Sequence, residues 1–275
     1  MSSRERRAPE GTADLYPGRR ASATKGKGLG GDRVPGRRAV RELLVAGKRS
    51  VRTVWIAEGQ DKNALLDEIV ELASASGADV RFVDAERVKT EAHSDGSQGV
   101  VAQAAPVQPV ALDDLAAQSD AFLVVLDGVT DPRNLGAVLR CAETAGATGA
   151  VFPRHRSASL TPAAVKAAAG AIEYLPIALV GGVPGALEQL SRAGVWSVGL
   201  DADGKASVYD LAVAEGPVAL VLGAEGRGIS RLASQRCDVL AAIPRHGHVE
   251  SLNVAAAAAV ACFEVARRRS AIRDQ

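Results

Sequence analysis

Residues 122–146 read Phe-Leu-Val-Val-Leu-Asp-Gly-Val-Thr-Asp-Pro-Arg-Asn-Leu-Gly-Ala-Val-Leu-Arg-Cys-Ala-Glu-Thr-Ala-Gly. The unbroken apolar run from Phe122 to Leu126 has strand length, the Asp/Gly/Pro-rich stretch after it is a loop, and a helical pattern starts near Asn134. This is a βα unit with its polar residues at the turn. Open α/β sheets take ligands beyond the carboxyl ends of their strands, which is where Asp127, Asp131, Arg133 and Asn134 fall. Asn134 suits a helix N-cap, because its side-chain oxygen can accept from the free amides of the first turn. Helical side chains lean toward the N-terminus, so Arg140 is expected to reach back over the small residues Gly136 and Ala137 and bring its guanidinium to the loop.

Downstream, strand-like runs alternate with helical ones: Ala150 to Phe152, a helix over Thr161 to Ala169, Tyr174 to Leu179, a helix over Val183 to Ala193, Val195 to Leu200, Pro217 to Leu222, Val239 to Ile243, and a final helix from about Leu252 to Arg269. That alternation predicts a mostly parallel sheet covered on both faces. Upstream, Arg38 to Ala46, Val51 to Ala57, Asn63 to Ser76, Val80 to Val83 and Gly99 to Ala104 make a smaller α/β unit. Residues 106–120 contain Pro106, Pro109 and several Asp and read as a linker ending in a short helix. The expected organisation is a basic arm at 1–33, a small α/β domain at 34–105, the linker, and a large α/β domain at 121–270.

The formal net charge of +1 conceals an asymmetry. Residues 1–38 hold ten Lys/Arg and four acids, leaving 23 basic and 28 acidic residues on the remainder. A basic, Gly- and Ser-containing leader with no apolar periodicity is expected to be disordered when free and to meet a polyanion. Gly26-Lys-Gly-Leu-Gly-Gly31 formally fits a dinucleotide fingerprint, but no strand precedes it, so that reading is rejected. No apolar run reaches the roughly 18 to 20 residues that span a bilayer, and the first residues lack the apolar core of a signal peptide. Cys141, Cys237 and Cys262 are widely spaced and read as free thiols, which fits the cytoplasm.

Two more segments carry polar groups at strand ends. Val218 to Leu222 runs into Gly223-Ala-Glu-Gly-Arg-Gly228, where three glycines let a ligand approach the main chain and Glu225 is the only carboxylate. Further on, Ile243-Pro-Arg-His-Gly-His-Val-Glu-Ser-Leu-Asn-Val254 leads from a strand into an alanine-rich helix, with Ser251 and Asn253 at the helix's positive end and Ser251 a candidate cap. His246 and His248 stand in a loop without a third ligand nearby, so no metal is expected.

These segments together resemble the SpoU (TrmH) family of RNA ribose 2′-O-methyltransferases. Asp-Gly-x-x-Asp-Pro-x-Asn-Leu-Gly-Ala-x-x-Arg is similar to its first motif, Gly-x-Glu-Gly-x-Gly to its second, and Ile-Pro followed by Ser-Leu-Asn-Val to its third. The opening Val34-Pro-Gly-Arg-Arg and the Gln98-Gly99 pair resemble the N-terminal ribosomal-protein-like, RNA-binding domain such enzymes carry. Ser97, Arg245 and Ala255 depart from the family's usual His, Met and Ser.

The resemblance implies a trefoil-knotted α/β methyltransferase domain and a homodimer. It implies S-adenosyl-L-methionine as cofactor, held at Gly223, Ile243 and Leu252. The catalytic residues it implies are Arg140, Asn134, Glu225, Ser251 and Asn253, with Arg140 acting on the ribose hydroxyl and the other four positioning it. The domain order most resembles enzymes that methylate a guanosine of 23S rRNA. A tRNA target, an antibiotic-resistance site on rRNA, and a noncatalytic RNA-binding or ribosome-assembly role are the alternatives.

Overall fold

The computed structural model describes residues 28–61, 63–94, 96–155, 159–248 and 251–273. The expectation of disorder for residues 1–27 therefore lies outside the described residues.

The small unit runs β1 (Arg33–Pro35), α1 (Arg37–Ala46), β2 (Val51–Ala57), α2 (Ala64–Ala75), β3 (Asp79–Val83), α3 (Ala85–Ala92) and β4 (Val100–Ala104). Its sheet has the order β1-β4-β2-β3, with β2 and β3 parallel and the other pairs antiparallel. Asn63 caps α2 by accepting from the Leu65 amide at 3.0 Å. Val40, Leu43, Leu44, Leu66 and Ile69 of α1 and α2 cover one face of the sheet. The other face is covered by α3, through Val88 and Ala92 against Trp55 and Val101.

The large unit runs α4 (Leu112–Ala116), β5 (Phe122–Asp127), α5 (Pro132–Thr144), β6 (Gly149–Pro153), α6 (Pro162–Ala168), β7 (Ile177–Val180), α7 (Val183–Arg192), β8 (Trp196–Leu200), β9 (Ala206–Ser207), β10 (Val218–Gly223), α8 (Arg231–Ser234), β11 (Val239–Ala242) and α9 (Val254–Arg273). Its seven strands are all parallel, in the order β7-β6-β5-β10-β8-β11-β9. Side chains alternate across β5. Phe122, Val124 and Leu126 pack with Leu135, Leu139, Ala258 and Cys262 of α5 and α9, while Leu123 and Val125 pack with Leu115, Leu187 and Leu190 of α4 and α7. Burial on both faces is why the sequence of this strand is apolar throughout rather than alternating. The Cys237 and Cys262 thiols are pushed up to about 12, chiefly by burial, which keeps them protonated and unreactive.

The two units are braced together. Arg49, in the loop after α1, donates to both carboxylate oxygens of Glu173 and, at 2.8 and 2.9 Å, to the carbonyls of Gly31 and Ala105. Both side chains are nearly inaccessible, and the Arg49 guanidinium makes four hydrogen bonds, the condition under which a buried pair holds. Glu173 arrives there because residues 171–173 form a 3-10 turn. The strand expected from Tyr174 accordingly starts only at Ile177.

The glycine-rich segment before β1 is part of this brace, and here the expected boundary of the arm at residue 33 is corrected. Leu29 is buried, its amide donates to the Val107 carbonyl at 2.8 Å, and the Gly31 amide donates to Leu160 of the large unit at 2.8 Å. A Cβ on Gly28 would meet Pro106 and Val107 at 2.8 Å, and Gly30 and Gly31 have φ of 92° and 75°. Glycine is required because the segment is squeezed between two neighbours in left-handed backbone. Residues 106–120 are packed along their length: Val107 is buried, Val110 pairs with Ala178, and Leu112 and Leu115 belong to the core.

Arg269 near the end of α9 is a second brace. It donates to the carbonyls of Asp120, Ala121, Ala214 and Gly216, and its guanidinium lies 5.3 Å from the centre of the Phe122 ring. This fixes α9 against the start of β5. No helix among the described residues is long and apolar enough to cross a membrane.

Candidate active site

β5 and β10 are adjacent, with Gly223 paired opposite Asp127. After β5 the chain winds toward β6 and β7, and after β10 it winds the other way, toward β11. The crevice at such a reversal is where parallel sheets take ligands.

α5 begins at Pro132, and its cap is Asp131, whose Oδ1 accepts from the amides of Arg133 at 2.7 Å and Asn134 at 2.9 Å. The expectation that Asn134 is the cap is corrected. Asp followed by Pro at the first helical position is the stronger start signal, and it places Asn134 inside the first turn. The Asn134 side chain is thereby released for another partner. Asn253 donates through Nδ2 to Asn134 Oδ1 at 3.1 Å and to Glu225 Oε1 at 2.6 Å. Its own Oδ1 accepts from the Ala255 amide at 2.8 Å, so Asn253, not Ser251, caps α9. Three segments remote in sequence meet at this one amide, with both donors and the acceptor engaged.

The second loop is a closed knuckle. Ala224 and Gly228 exchange main-chain hydrogen bonds of 3.0 and 2.9 Å. A Cβ built on Gly223 would overlap main-chain atoms of Gly228 and Ile229, so its small size serves the loop's own closure rather than a ligand's approach. Gly226 and Gly228, at φ of 74° and 63°, have open space where a Cβ would stand. Asp127 Oδ2 accepts from the Ser230 amide at 2.7 Å and ties the end of this loop to β5.

The other expected residues are placed apart from this hub. Ser251 is exposed and makes no hydrogen bond among the described residues. Ile243, just past β11, packs partly against the core, and Leu252 is 49% exposed, unusual for leucine. Open space over the glycine knuckle, with Ile243 and Leu252 offering apolar surface, suits a ligand that has both a flat apolar part and main-chain hydrogen-bonding groups.

Arg140 does not fold back to the loop. The path over Gly136 is filled by α6, which packs so closely that a Cβ on Gly136 would lie 2.6 Å from Ala167 Cβ and would overlap the Ala164 carbonyl. Six residues beyond Asn134, and so about 9 Å further along the axis, Arg140 instead lines a cleft between the two units with Arg38, Leu65 and Ala169. It is exposed and carries no hydrogen bond or ion pair among the described residues. The sequence places Asp131 at the strand end but not as the cap, and it does not place Arg38 or Lys166 beside Arg140. The cap could be found from the proline after Asp131, but the meeting of Arg38, of the Val34-Pro-Gly-Arg-Arg stretch, with Lys166 and Arg140 could not, because the cleft exists only once the units dock.

Residues 121–263 match the SpoU rRNA Methylase family, and residues 33–110 match the RNA 2'-O ribose methyltransferase substrate binding family. The chain belongs to the SpoU methylase family. Its relatives include the 23S rRNA (guanosine-2'-O-)-methyltransferase RlmB of Pseudomonas syringae pv. tomato, 40% identical over 88% of this chain and 98% of that protein. A putative TrmH family tRNA/rRNA methyltransferase, YacO of Bacillus subtilis, is 36% identical over 88% and 98%. Among solved structures, the SpoU methyltransferase AviRb of Streptomyces viridochromogenes in complex with AdoMet superposes with a TM-score of 0.72 at 26% identity, over 87% of this chain and 90% of that one. An AdoMet-bound rRNA methyltransferase of Sinorhizobium meliloti gives 0.70 at 26% identity, over 86% of each chain. In this SpoU chain one polar residue from each of the first two motifs, Asn134 and Glu225, meets Asn253 of the third.

The Asn253 hub carries a prediction. In Asn253→Ala, the helix cap is lost, at about 1 kcal/mol, and Glu225 and Asn134 lose their common donor. We expect a small drop in melting temperature with at least a tenfold loss of methyl transfer. Asn253→Asp preserves the cap but sets a carboxylate against Glu225, and should be as inactive while keeping its stability. Full activity of the aspartate variant would show that the hub contributes only the cap.

Proposed function

We propose that this chain is an S-adenosyl-L-methionine-dependent RNA ribose 2′-O-methyltransferase whose target is a guanosine of 23S rRNA. The convergence of Asn134, Glu225 and Asn253 at the switch point of a SpoU fold is the observation that carries this reading. A degenerate, noncatalytic scaffold would have no need to keep these groups mutually bonded. The named relatives favour rRNA over tRNA.

S-adenosylmethionine supplies an electrophilic methyl group. The residues assigned to hold it are Gly223, Ile243 and Leu252, the first through the knuckle it closes and the other two through their apolar surface. A ribose 2′-hydroxyl is a poor nucleophile at neutral pH, so the protein must stabilise negative charge as it develops on that oxygen. Arg140 is the cation assigned to this. A guanidinium stays protonated throughout the accessible pH range, so it acts as an electrostatic stabiliser rather than as a base. Asn134, Glu225 and Asn253 fix the loop ends on which the ribose rests, and the exposed Ser251 hydroxyl is free to hydrogen-bond it.

The homodimer belongs to the same proposal. Ala256 and Phe263 are exposed on α9 with Val260 half-buried between them, an apolar stripe at helical spacing, and Phe263 is 49% exposed. A trefoil knot formed by the chain around β10 and β11, and a cytoplasmic location, complete the reading.

The test is transfer of labelled methyl from S-adenosylmethionine to unmodified 23S rRNA transcript, with the product mapped by alkaline hydrolysis. One guanosine should become resistant to cleavage at its 3′ side. Label on a base nitrogen, or none on rRNA with efficient labelling of tRNA, overturns the assignment.

A further inference from the structure

The cleft that receives Arg140 has two walls of different origin. One is α1 of the substrate-binding unit, with Arg37 and Arg38, and the other is formed by α5 and α6 of the methyltransferase unit, with Arg140 and Lys166. At this end it encloses about 560 Å³ and is lined by those four basic residues and by no acid among the described residues. It continues into a second volume of about 460 Å³ that shares Arg38, Leu65, Arg140 and Ala169. The acids there are Glu42 and Glu143, and Glu42 is already engaged by Arg41 at 2.7 Å and by the Tyr174 hydroxyl at 2.7 Å.

Arg38 and Arg140 differ from nine other described arginines. Arg33, Arg41, Arg49, Arg81, Arg87, Arg192, Arg236, Arg267 and Arg268 all pair with carboxylates. Arg38 and Arg140 are exposed, line the same cleft from opposite walls, and have no hydrogen bond or ion pair among the described residues. Like charges brought together repel, and the repulsion is relieved when an anion enters between them. Arginine's planar fork suits phosphate oxygens in particular. α1 also begins in this cleft at Gly36 with no acid in its first turn, its Arg37 amide donating to Gln98 Oε1 at 3.3 Å and its remaining first-turn amides adding the positive end of a ten-residue helix.

From this geometry we infer that the interdomain cleft is a phosphate-binding track for the RNA strand that carries the target nucleotide. Arg38 and Arg140 grip it from opposite walls, and Arg37 and Lys166 extend the positive surface. The inference rests on the RNA methyltransferase reading and adds to it a place and a residue, Arg38, outside all three motifs. The Arg49–Glu173 brace keeps the walls at fixed spacing, so the substrate-binding unit serves Arg140 of its own chain.

The Arg38 side chain has no partner that folding needs, so Arg38→Ala and Arg38→Glu report on the track alone. With 23S rRNA transcript, Arg38→Ala should raise KM about fivefold and Arg38→Glu more than tenfold, with kcat within twofold of wild type and unchanged S-adenosylmethionine affinity. In filter binding at several salt concentrations, Arg38→Ala should lower the slope of log affinity against log salt by about 0.7 to 0.9, the value for one phosphate no longer neutralised. Arg38→Lys, which retains the charge, should recover most of that slope. An unchanged KM and salt slope in Arg38→Glu would overturn the inference while leaving the enzyme assignment intact. Failure of the wild-type chain to methylate rRNA would instead overturn the assignment, and the salt slopes would still decide whether the cleft binds RNA.

Discussion

Gly223→Val is expected to abolish measurable S-adenosylmethionine binding. Valine is favourable in a strand, and Gly223 is the last residue of β10, so propensity alone would forecast a harmless change. The packing forecasts the opposite, since even a single Cβ here overlaps main-chain atoms of Gly228 and Ile229, which cannot rotate away as a side chain could. The knuckle must open, the Ala224–Gly228 pair is broken, and Glu225 is drawn off Asn253. Calorimetry should show at least a hundredfold loss of affinity, equivalent to about 2.7 kcal/mol or more, with the circular dichroism spectrum retained because β10 is held by neighbours on both sides. Undiminished affinity would remove the second loop from the cofactor site. A requirement for added zinc would remove the whole metal-free reading.

Arg140→Ala should have the other large effect, of a different kind. With no partner inside the described chain, the side chain contributes little to stability, and its removal should leave the melting temperature and S-adenosylmethionine affinity nearly unchanged. If its charge faces the developing alkoxide, turnover falls by about two to three orders of magnitude, the range for losing one preorganised donor. Part of the loss will appear in KM, because the same guanidinium lines the cleft. Arg140→Lys should recover RNA affinity far better than turnover, since an ammonium retains the charge but not the fork. A variant that loses cofactor affinity in step with activity would make the residue structural.

Much of the architecture can be read in the chain because its strands are buried on both faces and its loops carry glycine and proline. Phe122–Asp127 and Val218–Gly223 lie within a residue of where apolar runs put them. α3 is missed for the same reason: only Val88, Glu91 and Ala92 of it are buried, so it has no apolar stripe to detect, and its order comes from the Asp84 cap and the Arg87–Glu91 ion pair. The site divides similarly. Asn134, Glu225 and Asn253 stand in motifs and meet as a group, whereas which asparagine caps and which one bonds is settled by Pro132 and by the approach of α9. The route of Arg140 is not legible because Gly136 reads equally well as open space or as a seat for another helix, and only the docking of α6 decides. The glycines at 28 to 31 carry an ambiguity of the same kind, between a free tether and a tightly held strap.

The strand order β7-β6-β5-β10-β8-β11-β9 also bears on how the protein is made. As the chain leaves the ribosome, β5, β6 and β7 can pair at once, but β8 emerges with neither neighbour yet synthesised, since both β10 and β11 follow it. Phe122 must wait for Val218, its partner 96 positions later, before the centre of the sheet closes. Until then two strand edges and the apolar faces beside them stay open to solvent, where chaperones and neighbouring nascent chains compete for them. Such distant parallel pairing is slow even in isolated domains. Protein synthesis and maturation are therefore coupled through one late strand, and codon choice or pausing between residues 200 and 223 would alter the yield of active protein without altering a single amino acid.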